Sequence, residues 1–181
     1  DNLYFKYDNY NINTSLVGNY QIANIILAIN IIKELDSNIS SALIENAIKD
    51  TLWAGRFEKV DPKKHIYIDG AHNIGGIKSL IETIKLLNYR NLYILFSALE
   101  DKNPTILIEE LLKITPNIIL TTFSDARIYD PTNIILNYNL DFIPSPLMAY
   151  NMVKNNMEDG DLFVITGSIH FIGYMKKDII K

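Results

Sequence analysis

Short apolar runs alternate with longer amphipathic segments along the chain, and the two patterns predict different elements. Runs rich in β-branched, leucine and aromatic residues predict strands, and they lie at Leu3–Tyr7, Ile66–Ile68, Leu92–Phe96, Ile118–Thr122, Asp141–Ile143 and Leu162–Thr166. Apolar residues spaced three and four positions apart predict helices, at about 20–35, 41–51, 77–87, 104–114, from 131 onward and at 145–157. Strands that alternate with helices imply right-handed crossovers and a mostly parallel sheet.

One pair of predicted strands breaks this alternation. The turn residues Asp61–Lys64 separate the strand-like stretches Phe57–Val60 and His65–Ile68, which predicts a β-hairpin. The first strand of this hairpin is therefore expected to run antiparallel to its neighbour, at an edge of the sheet.

The amino-terminal segment has its own pattern. Residues Tyr10–Ser15 are predicted to form a polar loop. The helix at 20–35 carries apolar residues nearly all round and is therefore predicted to be buried. Asn24 lies on this helix, where it either bonds a neighbouring backbone group or meets a ligand, and the residues alone favour the first role.

Polar side chains are concentrated where predicted strands end. The clusters are Asp69–Asn73, Ser97–Lys102, Ser124–Arg127 and Gly167–His170. The carboxyl ends of parallel strands share one edge of the sheet, where α/β proteins bind ligands. Together the clusters predict a crevice along that edge, whereas each cluster alone is typical of a solvated loop. For Asp69 or Asn73 singly, the simpler interpretation is a helix cap.

Several kinds of site are disfavoured by the residues. No Gly-x-Ser-x-Gly sequence supports a hydrolase built from Ser168, His72 and Asp69. No pair among Asp69, His72 and His170 has the i, i+4 spacing of metal ligands on a helix. The glycines of residues 70–76 are not followed by the Lys and Ser or Thr of a P-loop.

A site for a nucleotide or an acidic substrate fits better. Arg56 can neutralise phosphate, Asp69 can accept from a ribose hydroxyl, and Asn24 offers a donor and an acceptor to an adenine edge. The alternative for Arg56 is a surface ion pair with Glu58, two residues along the chain.

Composition narrows the class of protein. The chain has 181 residues, enough for one full domain and a piece of another. A net charge of -4 argues against a nucleic-acid surface, and the absence of cysteine excludes disulfides and fits a reducing cytoplasm. No apolar run reaches the roughly 20 residues of a membrane span. Because the chain begins Asp-Asn-Leu without Met, we expect it to be cut from a longer protein.

Five short motifs occur in order along the chain and together carry a family resemblance. They are Gly18–Asn24 (Gly-Asn-Tyr-Gln-Ile-Ala-Asn), Trp53–Glu58 (Trp-Ala-Gly-Arg-Phe-Glu), Asp69–Asn73 (Asp-Gly-Ala-His-Asn), Phe96–Lys102 (Phe-Ser-Ala-Leu-Glu-Asp-Lys) and Thr166–Ser168 (Thr-Gly-Ser). The set resembles the C-terminal half of a folylpolyglutamate synthase / dihydrofolate synthase of the Mur ligase superfamily.

This resemblance implies an α/β fold: a Rossmann-like, mostly parallel sheet with one antiparallel edge strand and helices on both faces, preceded by the helical tail of a second domain. Residues 1–50 would be the C-terminal tail of the central ATPase domain. Residues 51–181 would be the Mur ligase C-terminal Rossmann-like domain. A monomer in the cytoplasm is expected, without nucleic-acid or membrane partners.

The resemblance also implies a reaction. ATP would phosphorylate a carboxylate of dihydropteroate or a folate, and the amine of L-glutamate would then displace the phosphate. Asn24 would contact the adenine, Arg56 the ATP phosphates, and Asp69 the nucleotide near its ribose. His72 and Ser168 match catalytic positions on the glutamate side of the cleft.

Some features of the chain limit what the resemblance implies. Tyr20 and His170 depart from the family pattern and leave the choice of folate open, and Lys102 is implied only as a structural or cleft-lining residue. In this family the P-loop and the Mg²⁺ ligands belong to the upstream ATPase domain. We therefore expect no metal ligand in this chain, and no activity from it alone. The alternatives are another Mur-type amino-acid ligase, or a non-catalytic nucleotide-binding or interaction domain.

Overall fold

Residues 2–180 are described by the structure, which is a computed structural model. The chain divides into two compact units, one ending at Ala54 and the other beginning at Gly55. The predicted boundary, between residues 50 and 51, lies close to this division. The assignment of the first part to an ATPase domain stays a prediction.

The first unit packs one β-hairpin against helices. Its elements are β1 (Leu3–Tyr7), β2 (Tyr10–Thr14), α1 (Asn19–Leu35) and α2 (Ser41–Asp50). The strands pair antiparallel through a two-residue turn, and Ser40 caps α2 by accepting from the Leu43 N–H at 3.3 Å. Its core consists of Tyr10, Ile12, Ile25, Ile29 and Ile44.

Two predictions for this unit are wrong. Residues Tyr10–Thr14 form a strand and not a loop, because Tyr10, Ile12 and Thr14 alternate into the core while polar Asn residues lie between them. Helix α1 is buried on one face only, since Leu27 and Ile31 are 60% and 50% exposed.

The second unit is built on one six-stranded sheet in the order β3-β4-β8-β5-β6-β7. Its strands are β3 (Glu58–Lys59), β4 (His65–Ile68), β5 (Leu92–Phe96), β6 (Ile118–Leu120), β7 (Asp141–Phe142) and β8 (Leu162–Thr166). Edge strand β3 pairs antiparallel with β4, and the other pairs are parallel. The predicted fold class is confirmed, with the hairpin as its antiparallel edge.

Helices follow the strands, and all but the last two helical segments lie where the periodicity predicts them. They are α3 (Ile74–Ile84), α4 (Pro104–Leu112), α5 (Thr132–Tyr138), α6 (Pro146–Asn156) and α7 (Ile169–Tyr174), and a π-helix follows at Met175–Ile179. Alternate residues of the central strands are buried on opposite faces of the sheet. On one face Ile68, Leu95 and Ile165 pack with α6, α7 and the π-helix, while α3 and α4 contact each other.

Candidate functional site

The loops that follow β4 and β8 meet at the carboxyl edge of the sheet. The Gly70 N–H donates to the Gly55 carbonyl at 2.8 Å, and the Gly167 N–H donates to the Ala71 carbonyl at 3.1 Å. The backbone before β3, the Asp-Gly-Ala-His-Asn loop and the Thr-Gly-Ser loop therefore form one connected surface. These contacts bring the chain neighbours of Arg56, Asp69 and Ser168 to one edge of the sheet.

Two of these close approaches require glycine. Gly167 has φ +113°, and a Cβ there would lie 2.5 Å from the Ser97 carbonyl oxygen at the end of β5. Gly55 has φ +73°, and its Cβ would lie 2.5 Å from Ile172 Cδ1. Both positions have left-handed backbone, which favours glycine, and at Gly167 the close atom is also a backbone oxygen that cannot easily move.

Asp69 connects the two loops beside β4 through its carboxylate. Oδ2 accepts the Phe57 N–H at 2.9 Å, and Oδ1 accepts the Ala71 N–H at 2.8 Å. The residue is 5% exposed, and this burial raises its pKa above the usual value, while the two N–H donors and nearby Arg56 favour the charged form. Asp69 does not cap α3. Its predicted contact with a nucleotide ribose stays a prediction.

Arg56 lies between two residues whose backbone is fixed by this network. Its side chain is half-buried, and within residues 2–180 the guanidinium makes neither a hydrogen bond nor an ion pair. Glu58 instead accepts from the Gly55 N–H and from Lys176 Nζ, both at 2.7 Å. The alternative of a surface Arg56–Glu58 pair is therefore wrong, and the predicted contact of Arg56 with the ATP phosphates stays a prediction.

His72 is held in one tautomer by the backbone. Its Nδ1 lies 2.8 Å from the Gly70 carbonyl oxygen. Because a carbonyl oxygen only accepts, Nδ1 carries the proton in the neutral ring and Nε2 keeps its lone pair. The ring is half-buried beside two clefts, where Nε2 is suited to accept a hydrogen bond or a proton.

Two predicted polar residues serve as helix caps. Ser168 is 2% exposed, and its Oγ accepts the His170 N–H at 3.2 Å at the start of α7. Asn73 Oδ1 accepts the Gly76 N–H at 2.8 Å at the start of α3, so the capping interpretation is correct for Asn73. The catalytic roles of Ser168 and His72 stay predictions.

Two clefts adjoin at this edge, with volumes of about 220 and about 310 Å³. Both are lined by His72, Asp101 and Lys102, and Ser168 and Arg127 also line the smaller. Lys102 Nζ lies 2.6 Å from Asp101 Oδ2, and this hydrogen bond lowers the pKa of Asp101. The smaller cleft thus brings the His72 imidazole together with two cationic side chains, each paired with an aspartate.

Two ion pairs near the site differ in how far the sequence indicates them. Arg127 binds both oxygens of Asp125, with Nε–Oδ1 at 3.2 Å and Nη2–Oδ2 at 3.1 Å. The polar cluster at residues 124–127 indicated these side chains but not their geometry. Lys176 and Glu58 are 118 positions apart, so only the fold brings them together.

Asn24 belongs to the first unit. It is exposed on α1, and its Nδ2 donates to Gln21 Oε1 at 3.3 Å. This side chain-side chain bond replaces the backbone contact that the residues alone favour. Its predicted contact with adenine stays a prediction.

The second unit is an α/β domain with polar loops at the carboxyl edge of its sheet. Residues 55–169 match the family model of the Mur ligase, glutamate ligase domain, and the match begins where the second compact unit begins. The chain therefore belongs to the Mur ligase family.

Within this family the chain is similar to two kinds of ligase. It is 31% identical to the dihydrofolate synthase/folylpolyglutamate synthase of Bacillus subtilis over 178 residues, which covers 92% of this chain and 40% of that protein. It is 27% identical to the UDP-N-acetylmuramoyl-L-alanyl-D-glutamate–2,6-diaminopimelate ligase of Buchnera aphidicola, covering 88% of this chain and 34% of that protein. The chain thus spans well under half the length of these relatives.

A solved structure shares the fold. Escherichia coli FolC in complex with ADP aligns with a TM-score of 0.83 at 17% identity, over 97% of this chain and 45% of that one. At this identity the likeness shows the fold alone.

Neither a metal centre nor a membrane span is found in the part of the chain that the structure describes. No three His, Asp or Glu side chains of residues 2–180 are grouped to hold a metal ion. Among these residues, no helix has both the length and the apolar character needed to cross a bilayer.

Proposed function

We propose that this chain supplies the amino-acid side of an ATP-dependent ligase that joins L-glutamate to dihydropteroate or a folate. The proposal is carried by one observation: the half-buried guanidinium of Arg56 has no hydrogen-bond or ion-pair partner among residues 2–180, on a loop whose backbone is bonded to Asp69 and Glu58. The identity to the Bacillus subtilis synthase supports the folate branch.

The chemistry explains why Arg56 must be free. A carboxylate is a poor electrophile, so phosphorylation by ATP provides phosphate as a leaving group. The transferring phosphoryl group carries spread negative charge, which a preorganised guanidinium stabilises. A guanidinium already paired with Glu58 would have lost most of this capacity.

The adjoining clefts suit the incoming amino acid. Lys102 and Arg127 line the smaller cleft, and because each is already paired with an aspartate, only their remaining N–H donors are available to a carboxylate of the amino acid. His72, with its Nε2 lone pair, is placed to accept a proton from the attacking amine, and Ser168 lines the same cleft. In this proposal Asn24 contacts the adenine and Asp69 contacts the ribose while fixing the Arg56 loop.

The first test is Arg56→Ala in the full-length protein. Removing the charge at the phosphoryl group is expected to lower kcat/KM for ATP roughly a hundredfold. The matched control is Arg90→Ala, because Arg90 is an exposed arginine paired with Glu158 outside the site. Equal rates for wild type and Arg56→Ala would refute the assignment of Arg56.

The second test concerns the chain by itself. Residues 1–181 contain no P-loop sequence, and the described residues offer no metal cluster. We propose that an upstream ATPase domain holds Mg²⁺ and most of the ATP, so the purified chain is expected to release no phosphate from ATP with folate and L-glutamate present. Phosphate release that depends on both folate and L-glutamate would contradict the proposal that an upstream domain is needed.

A second candidate function is ligation of an amino acid to a cell-wall precursor. It is favoured by the identity to the Buchnera aphidicola ligase over 88% of this chain. Assays of the full-length protein with dihydropteroate, tetrahydrofolate and a UDP-linked muropeptide distinguish the two. No ATP turnover with any acceptor would leave a nucleotide-binding or interaction domain. The monomeric state and the cytoplasmic location stay predictions.

A further inference from the structure

The loop that carries Arg56 has a backbone that needs external support. Gly55 and Phe57, on either side of Arg56, both have positive φ values, +73° and +43°. The left-handed region is sterically unfavourable for Phe57, so surrounding contacts must stabilise it. On one side, the Asp69 carboxylate accepts a hydrogen bond from the Phe57 N–H, and the Phe57 ring stacks on the Tyr67 ring with their centroids 4.6 Å apart.

On the other side the support comes from Glu58. One carboxylate oxygen, Oε2, accepts the Gly55 N–H at 2.7 Å, and the other, Oε1, accepts from Lys176 Nζ at 2.7 Å. Gly55 is buried, so loss of this acceptor leaves its N–H without a partner. The orientation of the Glu58 carboxylate thus determines how the residue before Arg56 is held.

The position of Lys176 is fixed by the last helical segment of the second unit. It lies in the π-helix Met175–Ile179, where Met175 is fully buried and accepts the Ile180 N–H at its carbonyl at 2.8 Å. Wide helical turns of this kind occur often at functional sites. The π-helix places Lys176 opposite Glu58, although its neighbours on the chain have no part in the site.

We propose that Glu58 and Lys176 are positioning residues that set the pose of Arg56 toward the phosphates of ATP. The inference rests on the proposed function. The side chains of Lys176 and Glu58 are 40% and 30% exposed, and ion pairs exposed to this extent contribute little to global stability. The effect of the pair is therefore local, on the Gly55–Phe57 backbone and through it on Arg56.

The test uses Lys176→Met, Lys176→Arg and Glu58→Ala in the full-length protein. Lys176→Met and Glu58→Ala are expected to lower kcat/KM for ATP about tenfold by misplacing Arg56, with the KM for the amino-acid substrate unchanged. Lys176→Arg, which keeps the positive charge, is expected to retain most of the wild-type kcat/KM for ATP. The control is Lys177→Met, since Lys177 is exposed on the same π-helix and has no ion pair within residues 2–180.

A double variant separates positioning from a general effect. If Lys176 acts through Arg56, adding Lys176→Met to Arg56→Ala lowers the rate no further, because coupled residues are not additive. Hydrogen exchange of the backbone at residues 55–57 is expected to be faster in Lys176→Met and Glu58→Ala than in Lys177→Met. This second measurement does not depend on activity, and its comparison of Lys176→Met with Lys177→Met remains usable where Glu58→Ala folds poorly.

The outcomes distinguish this inference from the proposed function. A large effect of Arg56→Ala with wild-type ATP kinetics in Lys176→Met overturns the positioning role and leaves the function intact. Additive losses in the double variant also overturn it. Wild-type ATP kinetics in Arg56→Ala contradict the proposed role of Arg56, and the inference with it.

Discussion

Replacing Asp69 with Asn tests the network that builds the site. The carboxylate accepts two backbone N–H groups, from Phe57 at 2.9 Å and from Ala71 at 2.8 Å. An amide has one oxygen, so its NH₂ group must face one of these donors and one bond is lost. Loss of a hydrogen bond to a charged group costs about 1.5–3 kcal/mol.

A second effect acts in the opposite direction. Burial raises the pKa of Asp69, which means that the fold already opposes its negative charge. The neutral amide removes that electrostatic cost and offsets part of the lost bond. We therefore expect a decrease of about 2 kcal/mol in the free energy of unfolding, toward the lower end of the range, and a decrease of roughly 6 °C in Tm.

The assay is urea denaturation followed by circular dichroism, with m-values compared between variants. Asp101→Asn is the control, because Asp101 is an exposed carboxylate paired with Lys102, and a change within about 0.5 kcal/mol is expected there. If Asp69→Asn destabilises no more than Asp101→Asn, the two backbone bonds do not hold the loop and the reasoning is refuted.

Two further predictions concern the turn before β4 and the loop after β8. The pKa of Asp61 is lowered, chiefly by its hydrogen bond from Lys154 Nζ at 2.8 Å. The stabilisation that the charged Asp61 gives the fold is therefore present above about pH 4 and is lost as the pH falls below that value. Urea midpoints measured across this range are expected to change less with pH in Asp61→Asn than in wild type, and parallel curves would contradict this. Gly167→Ala places a Cβ 2.5 Å from the Ser97 carbonyl at φ +113° and is expected to cost about 2 kcal/mol or more in the same unfolding assay. Gly173→Ala, where a Cβ meets nothing within 4 Å, is expected to be neutral or slightly stabilising, and equal losses in the two variants would refute the steric argument.

Local patterns predict most of the second unit. The strands at Leu92–Phe96 and Leu162–Thr166 lie where the apolar runs place them, because a buried strand needs apolar residues on both faces. The Asp61–Lys64 turn likewise identifies the antiparallel edge. The same rules fail at Tyr10–Thr14, where buried residues alternate with asparagines and the segment therefore resembles a polar loop in sequence. They fail again for the outer face of α1, because periodicity does not show which apolar side chains pack against other elements and which stay exposed.

Residue types and their order by themselves determined the sheet edge at which the site lies, because strand ends and turn residues are encoded within a few neighbouring positions. Only the tertiary structure decided that Glu58 binds Gly55 and Lys176 and does not pair with Arg56. It also decided that both carboxylate oxygens of Asp69 accept hydrogen bonds from backbone N–H groups. These choices depend on partners that are distant in sequence, and competition among charged and polar groups for such partners is settled only when the chain is folded.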